Sequence, residues 1–131
     1  MKKIAIIGGG ISGLYIANLL RQNSGYEIIV YEKNNSINLE KGYGIQLSVN
    51  SIKLLNKIGF QSINLKDKFH PNKLDFYSLK NKKKICDLDI SAFNTNEVKY
   101  TTLQRFTLIN FLKDRLPNNL INYNKKVTKV N

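Results

Sequence analysis

The sequence predicts an α/β fold that begins with a β-α-β unit. Three features at the N-terminus support this prediction: an apolar strand over residues 4–7, glycines at positions 8, 10 and 13 where a helix should begin, and a second apolar run over residues 28–31 that ends in a carboxylate. The chain has 131 residues, of which 42% are hydrophobic. That length is enough for one domain with a real core, or for part of a larger domain.

The glycine spacing gives each residue a mechanical role. Gly8 permits a tight turn out of the strand, Gly10 lets the backbone approach a pyrophosphate, and Gly13 lets the helix pack closely on the sheet. The pyrophosphate would then lie on the free N–H groups at the helix start, where Ile11 and Ser12 stand.

The carboxylate of Glu32 completes the pattern. It lies 19 residues beyond Gly13 and can accept hydrogen bonds from the ribose hydroxyls of an adenosine. Three glycines alone are a weak signal, but the strand, the helix and the carboxylate in this order make it specific. The sequence therefore predicts an adenine dinucleotide site in a Rossmann-like unit.

The later elements are predicted from periodicity and from capping residues. The first helix is expected over residues 11–21 and the second strand over 27–31, before a polar loop at 34–38. The two glycines within 41–48 suggest backbone that bends or approaches something closely. Ser48 or Asn50 is the candidate cap of a helix that ends at Gly59.

Strands dominate the second half of the predicted fold. Residues 73–79 and 84–90 alternate as a hairpin would, with the lysines at 82–84 at its solvated tip. Thr102 is a candidate cap for a helix that continues to residue 116, and two short strands are expected at 120–123 and 127–130. Arg105 would lie in the first turn of that helix, where a cation opposes the helix dipole. Either an anionic partner or solvation at the surface would explain an arginine at this unfavourable position.

Composition argues against several other classes of protein. Residues 4–20 are uncharged, but their glycines, Ser12 and Asn18 disfavour a signal peptide or a membrane span. The net charge of +12 is spread along the chain, which disfavours a nucleic-acid face. The single cysteine, Cys86, excludes an internal disulfide and fits a reducing cytoplasm. Cys86 and the only histidine, His70, are both expected to be structural or incidental, and no metal site is expected.

Three blocks of sequence resemble the N-terminal part of the single-component FAD-dependent aromatic hydroxylases. This is the group of salicylate hydroxylase, kynurenine monooxygenase and para-hydroxybenzoate hydroxylase. The blocks are residues 6–14 with the strand end at 30–33, residues 42–50 leading into 54–59, and residues 103–112. The first block is shared by many flavin and nicotinamide proteins, whereas the second and third are more selective. Together they span nearly the whole chain.

The resemblance implies roles for individual residues. The three glycines would line the FAD pyrophosphate, Glu32 would hold the adenosine ribose, and Lys33 stands where the family often has arginine. Arg105 matches a family arginine that contacts the cofactor, whereas Gln104 stands where many members have histidine. The Gly42–Leu47 segment, with Gly44, Ile45, Gln46 and Leu47, would lie near the flavin and the substrate.

The resemblance also implies a reaction. NADH or NADPH would reduce FAD, O₂ would add at flavin C4a, and the resulting hydroperoxide would hydroxylate a small aromatic substrate. Other FAD-dependent oxidoreductases of the same cofactor fold, such as dehydrogenases, reductases or halogenases, remain alternatives. So does a non-catalytic dinucleotide-binding fragment.

The expected domain organisation follows from family length. Members are nearly three times as long, so residues 1–131 are expected to be the N-terminal portion of an FAD-binding domain. Residues from about 70 to 100 would be a hairpin of the substrate sheet. The chain alone is expected to be inactive, and its oligomeric state is left open.

Overall fold

The computed structural model describes residues 1–37 and 43–130, which divide into two compact units. The first unit comprises the described residues of 1–43 and 105–131, and the second comprises residues 44–104. The helices and strands of the first unit are β1 (Lys2–Ile7), α1 (Ile11–Leu20), β2 (Tyr26–Tyr31), α3 (Arg105–Asp114) and β8 (Ile121–Asn122). Those of the second unit are β3 (Gly44–Leu47), α2 (Val49–Asn56), β4 (Lys68–Phe69), β5 (Lys73–Tyr77), β6 (Lys84–Asp89) and β7 (Thr101–Gln104).

The first unit is a parallel sheet in the order β1-β2-β8, with α1 packed against α3. The predicted β-α-β unit is therefore confirmed, with Ile6 opposite Val30 in the register. Its core consists of fully buried aliphatic side chains from β2 and the two helices: Leu14, Ala17, Val30, Leu108, Ile109 and Leu112.

One expectation for the first strand is wrong. The apolar run of residues 4–7 predicts a buried parallel strand, but β1 is an edge strand that pairs only with β2 among the described residues, and Ile7 is 60% exposed. An apolar run shows that both faces of a strand carry apolar side chains. It does not show which neighbouring strands or helices cover those faces, so it cannot distinguish a central strand from an edge strand.

The second unit contains an antiparallel sheet in the order β3-β7-β4 and a separate hairpin, β5–β6. The hairpin was predicted from alternation, and whether it belongs to a substrate sheet stays a prediction. Ser48 is the cap of α2, where its Oγ accepts a hydrogen bond from the Ser51 N–H at 3.4 Å. Gly59 follows the helix with a positive φ of 83°, so its predicted role as the stop is also confirmed.

Three further expectations need correction. Thr102 does not cap a helix: it lies within β7, which is paired on both sides, and α3 begins three residues later at Arg105. Residues 127–130 form no strand, because no neighbouring strand among the described residues supplies hydrogen bonds to them. Val130 is 75% exposed. Lys84 lies in β6 and not at the hairpin tip, where Lys82 adopts a positive φ of 56°.

Candidate functional site

A cleft of about 430 Å³ opens within the first unit, beside the loop between β1 and α1. The residues that line this cleft come from the glycine loop, the end of β2 with the loop after it, and the start of α3: Gly9, Gly10, Glu32, Lys33, Asn34, Ser36, Ile37, Tyr43 and Arg105. Four of the predicted site residues are thus brought together, namely Gly10, Glu32, Lys33 and Arg105.

The glycine loop is held tightly to the sheet. Gly8 has a φ of +100°, and its N–H donates to the Tyr31 carbonyl at 2.8 Å. A Cβ built on Gly13 would lie 2.0 Å from the Gly8 carbonyl oxygen. Any side chain at Gly13 would therefore force the helix away from the loop, which confirms the packing role predicted for this glycine.

Gly10 has a different environment from Gly13. A Cβ built on Gly10 meets no atom of residues 1–37 and 43–130 within 4 Å, so these residues leave the space beside Gly10 open. Gly10 caps α1 without a side-chain hydrogen bond, and no acidic residue lies in the first turn. The Leu14 N–H is the first donor within the helix, and it bonds to the Gly10 carbonyl at 2.9 Å. The N–H groups of Ile11, Ser12 and Gly13 thus have no carbonyl partner within the helix, and they create a positive potential at its start.

Glu32 is nearly buried, with 8% of its surface exposed, and its carboxylate is bound by backbone donors. One oxygen, Oε2, accepts from the Gly9 N–H at 2.7 Å, and Oε1 accepts from the Asn34 N–H at 2.9 Å. Burial by itself raises the pKa of Glu32, but the N–H groups of Asn34 and Gly9 and the charge of Lys33 outweigh it, so the pKa lies below its ordinary value. The side chain is therefore a carboxylate at neutral pH, with lone pairs left for further donors.

Arg105 is the first residue of α3 and is half-buried. Its backbone N–H donates to the Tyr43 carbonyl at 3.1 Å, which fixes the start of the helix beside the cleft. No carboxylate among the described residues forms an ion pair with Arg105, whereas several lysines of the chain have such partners. Arg105 and Lys33 thus give the cleft two cationic side chains near one ionised carboxylate.

The other predicted site residues lie elsewhere. Gly8, Ile11, Ser12 and Gly13 belong to the loop and the first turn of α1 but do not line the cleft. Gly44, Ile45, Gln46 and Leu47 form β3 in the second unit, and their predicted proximity to a flavin stays a prediction. Gly42 lies outside the described residues.

Sequence reasoning did not assign five of the lining residues to the dinucleotide site: Gly9, Asn34, Ser36, Ile37 and Tyr43. Gly9 could have been found from the motif, because a loop amide next to the strand end is placed to meet the carboxylate there. The other four reach the cleft through loops without a periodic pattern, so no signal in the sequence identified them.

No group of three or more potential metal-ligating side chains occurs in the described part of the chain. Nor is any helix formed by residues 1–37 and 43–130 long and apolar enough to cross a membrane. Cys86 is exposed on β6, and the ring of His70 bonds to Thr101 and Tyr100.

Comparison with known proteins agrees with the fold. Residues 6–39 match the family described as NAD(P)-binding Rossmann-like domain. A 3-amino-4-hydroxybenzoate 2-monooxygenase of Streptomyces platensis is 47% identical over 58 residues, which is 44% of this chain and 14% of that protein. The structure of HpxO from Klebsiella pneumoniae, in a variant complexed with FAD, superimposes with a TM-score of 0.76 at 21% identity, over 98% of this chain and 32% of that one.

A second solved structure has a similar fold. The 2-methyl-3-hydroxypyridine-5-carboxylic acid oxygenase matches with a TM-score of 0.74 and 22% identity, over 95% of this chain and 32% of its own. The chain shares its fold with these two proteins. The α/β class and the resemblance predicted from the three sequence blocks are therefore confirmed. The chain spans about a third of the length of these solved structures.

Proposed function

We propose that the cleft binds the adenosine diphosphate part of FAD. The observation that supports this most directly is the carboxylate of Glu32, which is ionised, held by the glycine loop and exposed to the same cleft as Gly10. An ionised carboxylate is a strong acceptor for paired ribose hydroxyls. The open space beside Gly10 and the uncapped start of α1 offer room and N–H donors for a pyrophosphate.

Two cations complete the proposed site. Lys33 follows Glu32 directly and Arg105 begins α3, and both line the cleft. In this proposal they counter the negative charge of the cofactor phosphates. A cleft of about 430 Å³ lies within the range of roughly 300–1,000 Å³ that is usual for small-molecule sites.

The wider proposal is that the chain supplies FAD binding to an NAD(P)H-dependent flavoprotein monooxygenase. The named relatives support it, since they include a 3-amino-4-hydroxybenzoate 2-monooxygenase and HpxO complexed with FAD and uric acid. The substrate would be a small aromatic compound, with O₂ as the second substrate and NADH or NADPH as the reductant. When bound and reduced, FAD activates O₂, and the protein positions the reactants and excludes water. Gly44–Leu47 would lie near the flavin.

One observation favours a second candidate, a nicotinamide dinucleotide in the same cleft. The family that matches residues 6–39 is described as NAD(P)-binding, and the same loop geometry suits any adenine dinucleotide. Binding measurements can separate the two cofactors.

The test is calorimetric titration of the protein with FAD, FMN and NADH. We expect FAD to bind and FMN, which lacks the adenosine, to bind at least tenfold more weakly. Gly10→Val should abolish FAD binding without unfolding the chain, because a Cβ there meets no atom of the described residues within 4 Å, whereas the side chain fills the approach to the pyrophosphate. Lys126→Ala, at an exposed lysine away from the cleft, serves as the control.

Three results would decide against the proposal or part of it. Unchanged FAD affinity in Gly10→Val would refute the pyrophosphate assignment. Tighter binding of NADH than of FAD would favour the second candidate. In a longer protein that contains this chain, FAD binding without substrate-dependent O₂ uptake and a hydroxylated product would point to another class of flavoenzyme.

A further inference from the structure

A second cavity, of about 250 Å³, lies within the unit formed by residues 44–104. None of its lining residues lines the cleft of the first unit. Part of its lining is apolar and buried, since Ile52 is 4% exposed and Phe60 is 3% exposed. Its ionisable groups are Lys68, His70, Glu97 and Lys99.

Lys68 is the unusual residue of this cavity. It is half-buried, and its Nζ lies 5.4 Å from the centroid of the Phe60 ring, a cation–π distance. No carboxylate of the described residues pairs with it, whereas Lys73 and Lys84 on the hairpin each contact two aspartates. Burial lowers the pKa of Lys68, so part of the hydration of its ammonium is lost without an anion to replace it.

The wall around His70 is held by a chain of hydrogen bonds. Thr101, only 1% exposed, donates its hydroxyl proton to the Lys99 carbonyl at 2.8 Å. The Thr101 oxygen can therefore only accept in its contact with His70 Nδ1, at 3.1 Å. The Tyr100 carbonyl, 3.3 Å from the same nitrogen, is a second acceptor for it. Nδ1 is thus assigned as the protonated nitrogen, and the ring is held in place before any ligand binds.

We propose that this cavity binds a small organic anion, with its charged group on Lys68 and its apolar part against Ile52 and Phe60. The charges favour an anion, because Lys68 is the half-buried charged group of the lining, whereas Glu97 and Lys99 are both exposed and carry opposite charges. The volume of about 250 Å³ lies below the range of roughly 300–1,000 Å³ for drug-sized ligands, which favours a smaller molecule.

The test is a titration of the isotopically labelled chain with butyrate, in which NMR monitors the signals of the Lys68 side chain and the His70 ring. We expect saturable shifts of both with butyrate. Butanol, which lacks the charge, and inorganic phosphate, which lacks the apolar part, should bind at least tenfold more weakly. Lys68→Met should weaken butyrate binding at least tenfold, and Lys80→Met, at an exposed lysine of the hairpin turn, should leave it unchanged.

Lys68→Arg keeps the charge and should retain binding, so it tests the site even where Lys68→Met fails to fold. The proposal is overturned by the absence of saturable shifts, by equal affinity for butanol, by equal affinity for phosphate, or by unchanged affinity in a folded Lys68→Met variant. None of these results depends on FAD, so the two proposals succeed or fail separately.

Discussion

At the scale of single residues, Glu32 is fixed by the backbone before any ligand is present. Its two oxygens bind the N–H groups of Gly9 and Asn34, so the same side chain closes the glycine loop onto the end of β2 and faces the cleft. A structural role and the proposed ribose contact are compatible, because a carboxylate offers about four acceptor sites and the backbone N–H groups of Gly9 and Asn34 occupy two of them.

Glu32→Gln should destabilise the protein by about 1–3 kcal/mol at neutral pH, because a buried N–H then loses its acceptor. The pKa of Glu32 is lowered by folding, so its stabilising contribution is fully present above the pKa of the unfolded chain. That contribution is lost as the pH falls through the folded value. Denaturant unfolding of both proteins should show a constant difference above about pH 5 that narrows in acid. A difference that does not change with pH would contradict this account.

The residues of the site differ in how far sequence could predict them. Gly13 and Glu32 were predictable, because a close approach and a buried strand end allow few residue types. Tyr43 was not, since it reaches the cleft from a loop and is 74% exposed, where almost any residue is tolerated.

At the scale of elements, α1 and α3 are joined by a buried amide. Asn18, 7% exposed, donates from Nδ2 to the Leu14 carbonyl at 2.9 Å and to the Leu112 carbonyl at 2.8 Å. Leu112 lies in the last turn of α3, where carbonyls lack partners within the helix. The side chain thus satisfies a helix end and links two segments that are 94 residues apart.

Asn18→Ala should destabilise the first unit by about 1–3 kcal/mol, because the Leu112 carbonyl is left buried without a donor. Asn18→Asp, which has the same shape but no donors at neutral pH, should be more destabilising still, since a carboxylate would face two carbonyl oxygens. Denaturant unfolding followed by circular dichroism measures both. An Asp variant as stable as the parent would show that the two hydrogen bonds are unimportant.

The boundaries of elements show where local sequence rules stop. Ser48 and Gly59 were correctly assigned around α2, because capping and a positive φ depend on the chain close by. Thr102 was misassigned because its pairing with both Gln46 and Phe69 is set by residues more than thirty positions away. Strand pairing of this kind overrides a local cap preference.

At the scale of the whole molecule, burial is uneven. The parallel sheet and the helices α1 and α3 contain the fully buried side chains Leu14, Val30 and Leu108. In the hairpin, by contrast, every residue of β6 is exposed, as are all of β5 except Leu74. Composition predicted a core but not its distribution, because the average hydrophobic content of the chain does not say which strands are covered.

The hairpin should therefore exchange its amide hydrogens faster than the parallel sheet. Two strands without a buried face are marginally stable in water, and the exposed ion pairs of Lys73 and Lys84 with Asp75 and Asp87 add little to their stability. Hydrogen exchange resolved by residue should show protection over 26–31 that is at least tenfold greater than over 84–89. Equal protection of the two strands would mean that another surface covers the hairpin in solution. Repeating the exchange at high salt distinguishes the sources of whatever protection the hairpin has, since screening weakens ion pairs between exposed groups but leaves backbone pairing intact.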